Sequence, residues 1–389
     1  MKKQNIVIIA PQPWHYEIGS NARNIAQEFA KNNRVVYVNP PNDWNTLLNN
    51  WKNRKYFQRF AGDGLKQMEK NIWNFSPRYA SASINWMNPG ILYRFLNKWN
   101  NRRFARSIQE ATVSLGMTDV IIFNDNYMFN GLYIKEILNP KLYLYYVRDF
   151  LTIQPYFKKH GTSAEPELMK KSDAVLANSL YLKEYGEQFN KKSFDVGQGC
   201  EVELFNEELI DSIPLDLKSI SSPIIGYIGF LTSMRLSIEL LIEIAEHNEN
   251  WNLVLVGPED SDFQKSKLHQ LKNVHFLGRR EPAQLPAYVK GFDVCINPQE
   301  INQLTIGNYP RKVDEYLAMG KPTVATATKA MEVFKECTYL AKDTNGFIRA
   351  IETALLEKDE NLKQKRIALA RSHTWENSVK EIYKVIDSF

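Results

Sequence analysis

The chain has 389 residues, a length that predicts two or three domains. Hydrophobic residues make up 44% and charged residues 24% of it, which excludes a disordered or low-complexity protein. The three cysteines are widely spaced, which excludes a disulfide framework or a Cys-x-x-Cys metal site and favours a reducing compartment. The first apolar run, 6–10, is too short for a signal peptide, so we expect a cytoplasmic protein.

The net charge of +5 is distributed unevenly along the chain. Residues 51–110 hold twelve basic but only three acidic side chains, and residues 44–99 hold five of the eight tryptophans. A region that is both basic and aromatic is typical of a surface that meets an anionic or interfacial partner.

The N-terminal half alternates predicted strands and helices. Apolar runs predict strands at 3–10 and 35–38, and apolar residues at helical spacing predict a helix at 20–31 between them. This arrangement is a βαβ unit with parallel strands. Further runs at 120–123, 142–147 and 174–177 extend the same sheet. Residues 42–110 interrupt the alternation and are predicted to be an insertion of helices and loops.

The alternation stops at 206–223, an acidic, Ser-rich stretch with two prolines that is typical of a linker. It then restarts, with strands predicted at 224–229, 251–257, 274–278, 294–297 and 323–326 and helices at 237–247, 283–290 and 310–318. Residues 339–389 are predicted to be largely helical. We therefore predict an α/β fold with Rossmann-like, doubly wound domains at 1–205 and 224–372 that face a central cleft. A C-terminal helix at 373–389 is expected to pack back toward the first domain.

The segment 310–322 carries the densest chemical signal. It predicts a helix that begins near Pro310 and ends at Gly320. The Glu315 carboxylate can accept two hydrogen bonds from a vicinal diol such as a ribose. Arg311, Lys312 and the N–H groups of the helix start can bind phosphate. The same pattern equally describes an ordinary amphipathic helix with a solvated charged face.

With its flanks, this segment resembles the GT-B glycosyltransferases, in particular the family 4-like group that includes teichuronic acid glycosyltransferases. The family signature has a first Glu, then Gly-Phe-Pro, four variable positions, a second Glu and a helix that ends in Gly-Lys-Pro. Here Asn308-Tyr309-Pro310 is followed by Glu315 and by Gly320-Lys321-Pro322. The second glutamate binds the nucleotide ribose in the family, which implies that role for Glu315. Gly307 stands where the family has the first glutamate, which contacts the donor sugar.

Further segments match the family in the same order along the chain, at 173–179, 199–205, 225–230, 277–280, 285–288 and 291–294. The resemblance implies that Gly229 and Phe230 lie at the donor diphosphate, although the family usually has Arg in place of Phe230. The other residues that it implies around the donor are Arg235 at the diphosphate, Arg279 and Arg280 at the base, Tyr309 and Pro310 at the helix start, and Thr305, Gly307 and Asn308 at the sugar.

The resemblance implies a glycosyltransferase that moves a sugar from a UDP- or GDP-linked donor to a glycan or lipid-linked acceptor, in bacterial cell-surface polysaccharide or glycoconjugate synthesis. It also implies retention of anomeric configuration, no metal, and no cofactor other than the nucleotide-sugar co-substrate. Asp260 and Asp262 follow a strand closely, and we interpret them as a solvated turn rather than as metal ligands. The alternatives are a non-catalytic GT-B scaffold, motivated by Gly307 and Phe230, and a GT-B-fold sugar-nucleotide epimerase.

The acid–base candidates follow strands of the first domain. His15 and Glu17 lie in the loop after the first strand, although an exposed loop histidine often has no role. Asp149 follows the strand 142–147, where a carboxylate can deprotonate an acceptor hydroxyl. Arg148 and Asp149 can equally pair with other charges. Residues 124–126 are a third candidate at a neighbouring strand end.

The basic, aromatic insertion has three interpretations. Residues 44–106 can bind an anionic membrane surface that carries a lipid-linked acceptor, which would place the protein on the inner face of the cytoplasmic membrane. They can equally form a helical cap whose aromatic residues are core and whose charges are solvated. A nucleic-acid surface has a similar composition, but we expect no nucleic-acid partner.

Overall fold

The computed structural model describes residues 3–15, 20–49 and 64–389, apart from the side chain of Leu47. Predicted site residue Glu17 lies outside the described residues. The chain divides into two compact units. Unit 1 comprises Met1–Gly197 and Ser378–Phe389, and unit 2 comprises Gln198–Asn377.

Unit 1 is built on an eight-stranded sheet in the order β10-β9-β8-β7-β1-β2-β5-β4, in which only β4 runs antiparallel to its neighbour. The central strands are apolar and buried on both faces, as parallel strands covered by helices must be. The strands of unit 1 are β1 (Asn5–Ile9), β2 (Arg34–Val38), β3 (Asn42–Asp43), β4 (Leu65–Glu69), β5 (Ile72–Phe75), β6 (Ala80–Ser81), β7 (Ile121–Asp125), β8 (Leu142–Val147), β9 (Ala174–Ala177) and β10 (Ser193–Asp195).

Within the described residues, the helices of unit 1 before its last one are Asn21–Ala30, Trp44–Asn49, Ile91–Ser114, Met128–Gly131, Ile134–Leu138, Pro155–Lys171 and Leu180–Glu187. The prediction of only helices and loops at 42–110 was wrong. β5 pairs in parallel with β2, β4 closes the sheet edge, and β3 pairs with β6. These strands have two to five residues, too few for periodicity to distinguish them from loops.

Unit 2 contains a six-stranded, wholly parallel sheet in the order β13-β12-β11-β14-β15-β16. Its strands are β11 (Ile224–Ile228), β12 (Asn252–Val256), β13 (Val274–Phe276), β14 (Val294–Asn297), β15 (Thr323–Thr326) and β16 (Tyr339–Ala341). Its helices are Leu215–Lys218, Ile238–His247, Ser261–Gln264, Leu285–Lys290, Arg311–Ala318, Thr344–Leu355 and Glu360–Ser372. The short edge strand β16 lies in a region that was predicted to be helical.

The last helix, Trp375–Asp387, contributes its final turns to unit 1. There the Tyr383 ring packs edge-on against Phe29, with ring centroids 5.5 Å apart. Asn33 Nδ2 donates a hydrogen bond of 2.7 Å to the Tyr383 hydroxyl. The chain therefore returns to the helix Asn21–Ala30 after it has completed unit 2.

Candidate functional site

Two glycine turns lie together at the carboxyl ends of β11 and β12. Gly229 and Gly257 both have positive φ angles, 129° and 158°, which glycine adopts without strain. The Gly229 N–H donates a 2.9 Å hydrogen bond to the Val256 carbonyl. A Cβ atom on Gly257 would lie 1.9 Å from the Gly229 carbonyl oxygen, so the two backbones meet where no side chain fits. Ligands of doubly wound sheets bind at this edge of the strands.

Lys312 places a cation over the first of these turns. The Lys312 ammonium donates a 2.8 Å hydrogen bond to the Tyr227 hydroxyl and lies 4.8 Å from the centre of the Tyr227 ring. A Cβ atom on Gly229 would lie 3.0 Å from Lys312 Nζ. The helix Arg311–Ala318 begins after Pro310, which supplies no side-chain cap for its N–H groups. The cation and the uncapped helix start together favour an anion beside Gly229.

Arg311 and Glu315 add a second cation and a carboxylate to the same helix. Arg311 Nε is buried and has no hydrogen-bond partner. Within the part of the chain that the structure describes, no hydrogen bond or ion pair engages the Glu315 carboxylate. Burial raises the pKa of Glu315 to about 7, against the opposing effect of Arg311 and Lys312. Two cations and an unengaged acceptor group suit a ligand that carries both phosphate and hydroxyl groups.

The raised pKa of Glu315 has a consequence for stability. The folded state binds the Glu315 proton more tightly than the unfolded state does. The protonated Glu315 therefore contributes its full stabilisation of the fold below pH 4.5, and this contribution is lost as the pH rises to about 7. Glu315→Gln is therefore expected to raise the free energy of unfolding by about 1–3 kcal/mol at about pH 8. The gain should vanish near pH 4.5. Urea unfolding at both pH values checks this, and an equal gain at the two would contradict it.

A buried polar cluster holds this helix in place. Asp314 is fully buried and accepts hydrogen bonds from the Tyr309 hydroxyl at 2.8 Å and from the Cys200 thiol at 3.0 Å. Its other oxygen lies 2.7 Å from Nδ1 of His373. Burial and Asp314 raise the pKa of the Cys200 thiol well above its usual value, which keeps the donated proton in place. Asp314 immediately precedes Glu315, so the cluster anchors the helix turn that carries Glu315.

The other residues predicted around the donor nucleotide sugar differ in their exposure and in their hydrogen-bond partners. Phe230 is exposed beside Gly229, whereas the side chain of Tyr309 points into the buried cluster. Arg280 donates to Asp216 at 2.7 Å and to the Tyr288 hydroxyl at 2.6 Å, so its guanidinium is already engaged.

The sugar candidates lie in the loop before the helix. Thr305 is fully buried and its hydroxyl donates to the Glu300 carbonyl, which closes a turn. Gly307 is buried and Asn308 is half-buried. The side chain of Arg235 makes no hydrogen bond within the described residues, and Arg279 is exposed. Sequence reasoning missed the buried polar cluster because two partners of Asp314, Cys200 and His373, are distant from it in the chain.

In unit 1, Arg148 joins two carboxylates at the ends of β7 and β8. Arg148 Nε donates to Asp125 at 2.9 Å, and its Nη1 donates to Asp149 at 2.9 Å. The Asp125 side chain is fully buried, whereas that of Asp149 is 21% exposed. Arg148 therefore pairs with another charge, Asp125, as the alternative expects, and Asp149 pairs with Arg148 itself. His15 is exposed, after the buried Trp14.

Asp260 and Asp262 lie at the start of the helix Ser261–Gln264. Asp260 accepts hydrogen bonds from the N–H groups of Asp262 and Phe263, as N-cap residues do. Over residues 3–15, 20–49 and 64–389, no three His, Cys, Asp or Glu side chains are grouped to hold a metal. No helix in these ranges is long and apolar enough to cross a membrane.

The sheets and the glycine turns define the GT-B fold, which comparison with solved structures confirms. Sucrose-phosphate synthase of Thermosynechococcus elongatus superposes with a TM-score of 0.69 at 15% identity, over 99% of both chains. HepE of Anabaena in complex with UDP-glucose superposes with a TM-score of 0.65 at 16% identity, over 99% of this chain and 100% of HepE. At such identities the likeness establishes the fold.

Residues 222–357 match the family described as glycosyl transferases group 1, which confirms the predicted resemblance for this segment. A protein of Bacillus subtilis (strain 168), named as the teichuronic acid biosynthesis glycosyltransferase TuaH, is 29% identical over 243 residues. That match covers 60% of this chain and 61% of TuaH, less than two thirds of the relative's length.

Proposed function

We propose that the protein is a glycosyltransferase that uses a nucleotide-diphosphate sugar as donor. The observation that carries this proposal is the position of Lys312 at the Gly229 turn, with Arg311 and Glu315 on the same helix, within the segment that matches glycosyl transferases group 1. The two cations and the helix start bind the diphosphate and stabilise the charge that it gains as the leaving group. The Glu315 carboxylate accepts hydrogen bonds from the ribose diol.

We propose UDP-glucose or a related UDP-sugar as the donor, with a GDP-sugar as the alternative. The complex of HepE with UDP-glucose supports UDP, because HepE shares the fold over the whole chain. The reaction proceeds with retention of configuration, as in the glycosyltransferases that the chain resembles. Because Lys312 and Arg311 supply positive charge at the diphosphate, no metal is required there.

The acceptor is a glycan or a lipid-linked sugar in the synthesis of a bacterial cell-surface polysaccharide or another glycoconjugate, a role that the name of TuaH supports. Unit 1 binds the acceptor. Of the two carboxylates that Arg148 joins, Asp149 is the one that retains exposure, and it is therefore the candidate base, held in place by Arg148. His15 is the second candidate. Both residues follow carboxyl ends of parallel strands.

A thermal-shift screen tests the donor site. The purified protein is heated with UDP, GDP, CDP or ADP and with the corresponding sugars, with and without Mg²⁺. At about 100 times its dissociation constant, the donor nucleotide should stabilise the fold by about 2.7 kcal/mol. If no nucleotide shifts the transition, the protein is a non-catalytic scaffold. If UDP binds but its sugar is converted without any acceptor, the protein is an epimerase.

We further propose that unit 1 docks on an anionic membrane through the start of the helix Ile91–Ser114. The docking face consists of the exposed apolar residues Ile91, Leu92, Phe95 and Trp99 and the exposed basic residues Arg94, Lys98, Arg102 and Arg106. The cations alternate with the exposed apolar side chains along the first turns and continue beyond them, and exposed apolar side chains flanked by cations are typical of a helix that lies at a lipid surface. The helical-cap alternative expects aromatic residues in the core, which describes Tyr93 and Phe104 of this helix, whereas Phe95 and Trp99 are exposed.

Flotation with phosphatidylglycerol vesicles tests this docking. The wild type should float, and a variant with Arg94, Lys98, Arg102 and Arg106 changed to Ser should float several-fold less, because each cation near an anionic surface contributes about 1 kcal/mol. Equal flotation of the two would contradict the proposal. A charge-matched control changes four exposed cations of unit 2, Lys265, Lys272, Lys342 and Arg349, to Ser. The basic run 52–59, also predicted for this surface, lies outside the described residues.

A further inference from the structure

A cavity of about 490 Å³ lies at the outer edge of the unit 1 sheet, beside the edge strand β4. Its described wall is formed by the start of β4, the end of β5, residues 78–79 between β5 and β6, and the second half of the helix Ile91–Ser114. The volume lies within the range of about 300–1,000 Å³ that is typical of small-molecule sites. The cavity shares no described lining residue with the donor site or with the acid–base candidates.

Three arginine side chains line this cavity, and none of them has a carboxylate partner within the described residues. Arg103 and Arg106 lie one turn apart on the helix, and Arg78 comes from the segment between β5 and β6. Arg78 and Arg106 are exposed and make no hydrogen bond or ion pair with any described residue. The Arg78 guanidinium lies against Gly64, where an added Cβ atom would be 2.9 Å from Arg78 Nη2.

The third arginine is held in a fixed orientation. Arg103 Nη1 donates a 3.0 Å hydrogen bond to the Ala80 carbonyl. Its guanidinium carbon lies 4.4 Å from the centre of the Tyr79 ring and 4.8 Å from that of Trp99. Aromatic rings orient a guanidinium without neutralising its charge, and the bond to Ala80 uses only one of its five N–H donors. Arg103 therefore has donors left for a ligand.

The charge of the wall favours an anion with two negative charges. Glu110 is the one carboxylate among the described lining residues, so the ionised side chains sum to +2. The positive charges repel one another unless an anion lies between them. A phosphate monoester carries a charge of about −1.5 to −2 at pH 7, and arginine binds its oxygens through paired N–H donors. Leu65 and Phe75 add apolar surface to the same wall.

We propose that this cavity binds a phosphate monoester. The phosphate group contacts Arg78, Arg103 and Arg106, and the carbon part of the ligand packs on Leu65 and Phe75. The monoester is either a soluble molecule or the headgroup of phosphatidic acid. Arg106 also belongs to the docking face described above, whereas Arg78 and Arg103 do not. The inference does not rest on the proposed glycosyltransferase activity.

Two binding measurements on the full-length protein distinguish the sources. Glycerol 3-phosphate and phenyl phosphate are titrated by calorimetry at constant ionic strength, and at least one should bind with millimolar or tighter affinity if the ligand is soluble. Flotation with phosphatidylcholine vesicles that contain phosphatidic acid, or phosphatidylserine at matched charge, tests the lipid source. A preference for phosphatidic acid that depends on Arg78 identifies the headgroup. If neither measurement depends on Arg78, the proposal is overturned.

Variants locate the binding. Arg78→Gln and Arg106→Gln change exposed side chains and should each weaken monoester binding, or the preference for phosphatidic acid, about tenfold. Arg102→Gln is the matched control, because Arg102 is exposed on the same helix and does not line the cavity, and it should leave both unchanged. Glu110→Gln should strengthen monoester binding several-fold, a gain that a misfolded variant could not show. Weaker binding by the Glu110 variant contradicts the proposal.

The donor site is separated by a variant of its own. Lys312→Gln should leave monoester binding unchanged, and Arg78→Gln should leave the UDP shift unchanged. Loss of monoester binding in the Lys312 variant would assign that binding to the diphosphate site and overturn the proposal. A wild type that binds a monoester through Arg78 but does not bind UDP would contradict the proposed function while it supports this inference.

Discussion

The Glu315→Ala variant is expected to lose the thermal stabilisation by UDP that we expect for the wild type. A carboxylate that accepts two hydrogen bonds from a ribose diol contributes about 3 kcal/mol to binding, so its removal should weaken UDP about a hundredfold. The unliganded variant should melt at the same temperature as the wild type or higher at about pH 8, because the raised pKa of Glu315 reports a desolvated charge. Differential scanning fluorimetry over a UDP titration measures both effects.

The control for this variant is Glu332→Ala. Glu332 is an exposed glutamate of unit 2 that forms only an i,i+3 pair with Lys335 at 3.7 Å, so its removal should leave the UDP shift unchanged. A Glu315→Ala protein that retains the full UDP shift would show that the ribose contact is wrongly assigned. A lower melting temperature of the unliganded variant would show instead that Glu315 has a structural role.

Arg148→Met is expected to destabilise unit 1 by about 3–5 kcal/mol. The Asp125 side chain is fully buried, and Arg148 is its ion-pair partner at 2.9 Å. One Asp125 oxygen already lacks a hydrogen-bond partner, so removal of Arg148 would leave a buried carboxylate without compensation. Urea unfolding, followed by circular dichroism, measures the change.

A double-mutant cycle separates the ion pair from the packing of the arginine side chain. Adding Asp125→Asn to Arg148→Met removes the uncompensated charge and should recover at least about 1 kcal/mol of the loss. Lys158→Met, at an exposed position of the same unit, should change stability by no more than about 0.5 kcal/mol. If Arg148→Met costs less than the Lys158 control, the buried pair is not what organises the ends of β7 and β8.

Much of the site in unit 2 could be predicted from local sequence because its parts are close in the chain. Lys312 and Glu315 share one helix, and the pattern from Pro310 to Gly320 indicated both its start and its end. Gly229 follows an apolar strand directly. In contrast, the contact between Gly229 and Gly257 could not be predicted without the register of β11 against β12. That register pairs residues that are 28 positions apart in the chain.

Elsewhere the local patterns predicted less. The family resemblance implies that Tyr309 lies at the donor, and its hydroxyl contacts Asp314 and His373, which are 59 residues apart in the chain. The Asp125 partner of Arg148 comes from a different strand. In the insertion, β4 and β5 are recognised only by their pairing with the main sheet.

The sequence by itself determined the alternation of buried strands and helices, the glycine turn after β11 and the charged helix of Glu315. Each of these follows from the side-chain periodicity and backbone preferences of a few neighbouring residues. Only the tertiary structure decided which charges are paired, which aromatic side chains stay exposed and where a cavity remains. Burial and hydrogen-bond partners are set by residues far apart in the chain. The ion pair of Arg148 with Asp125 and the exposure of the Trp86 ring therefore depend on the assembled sheet.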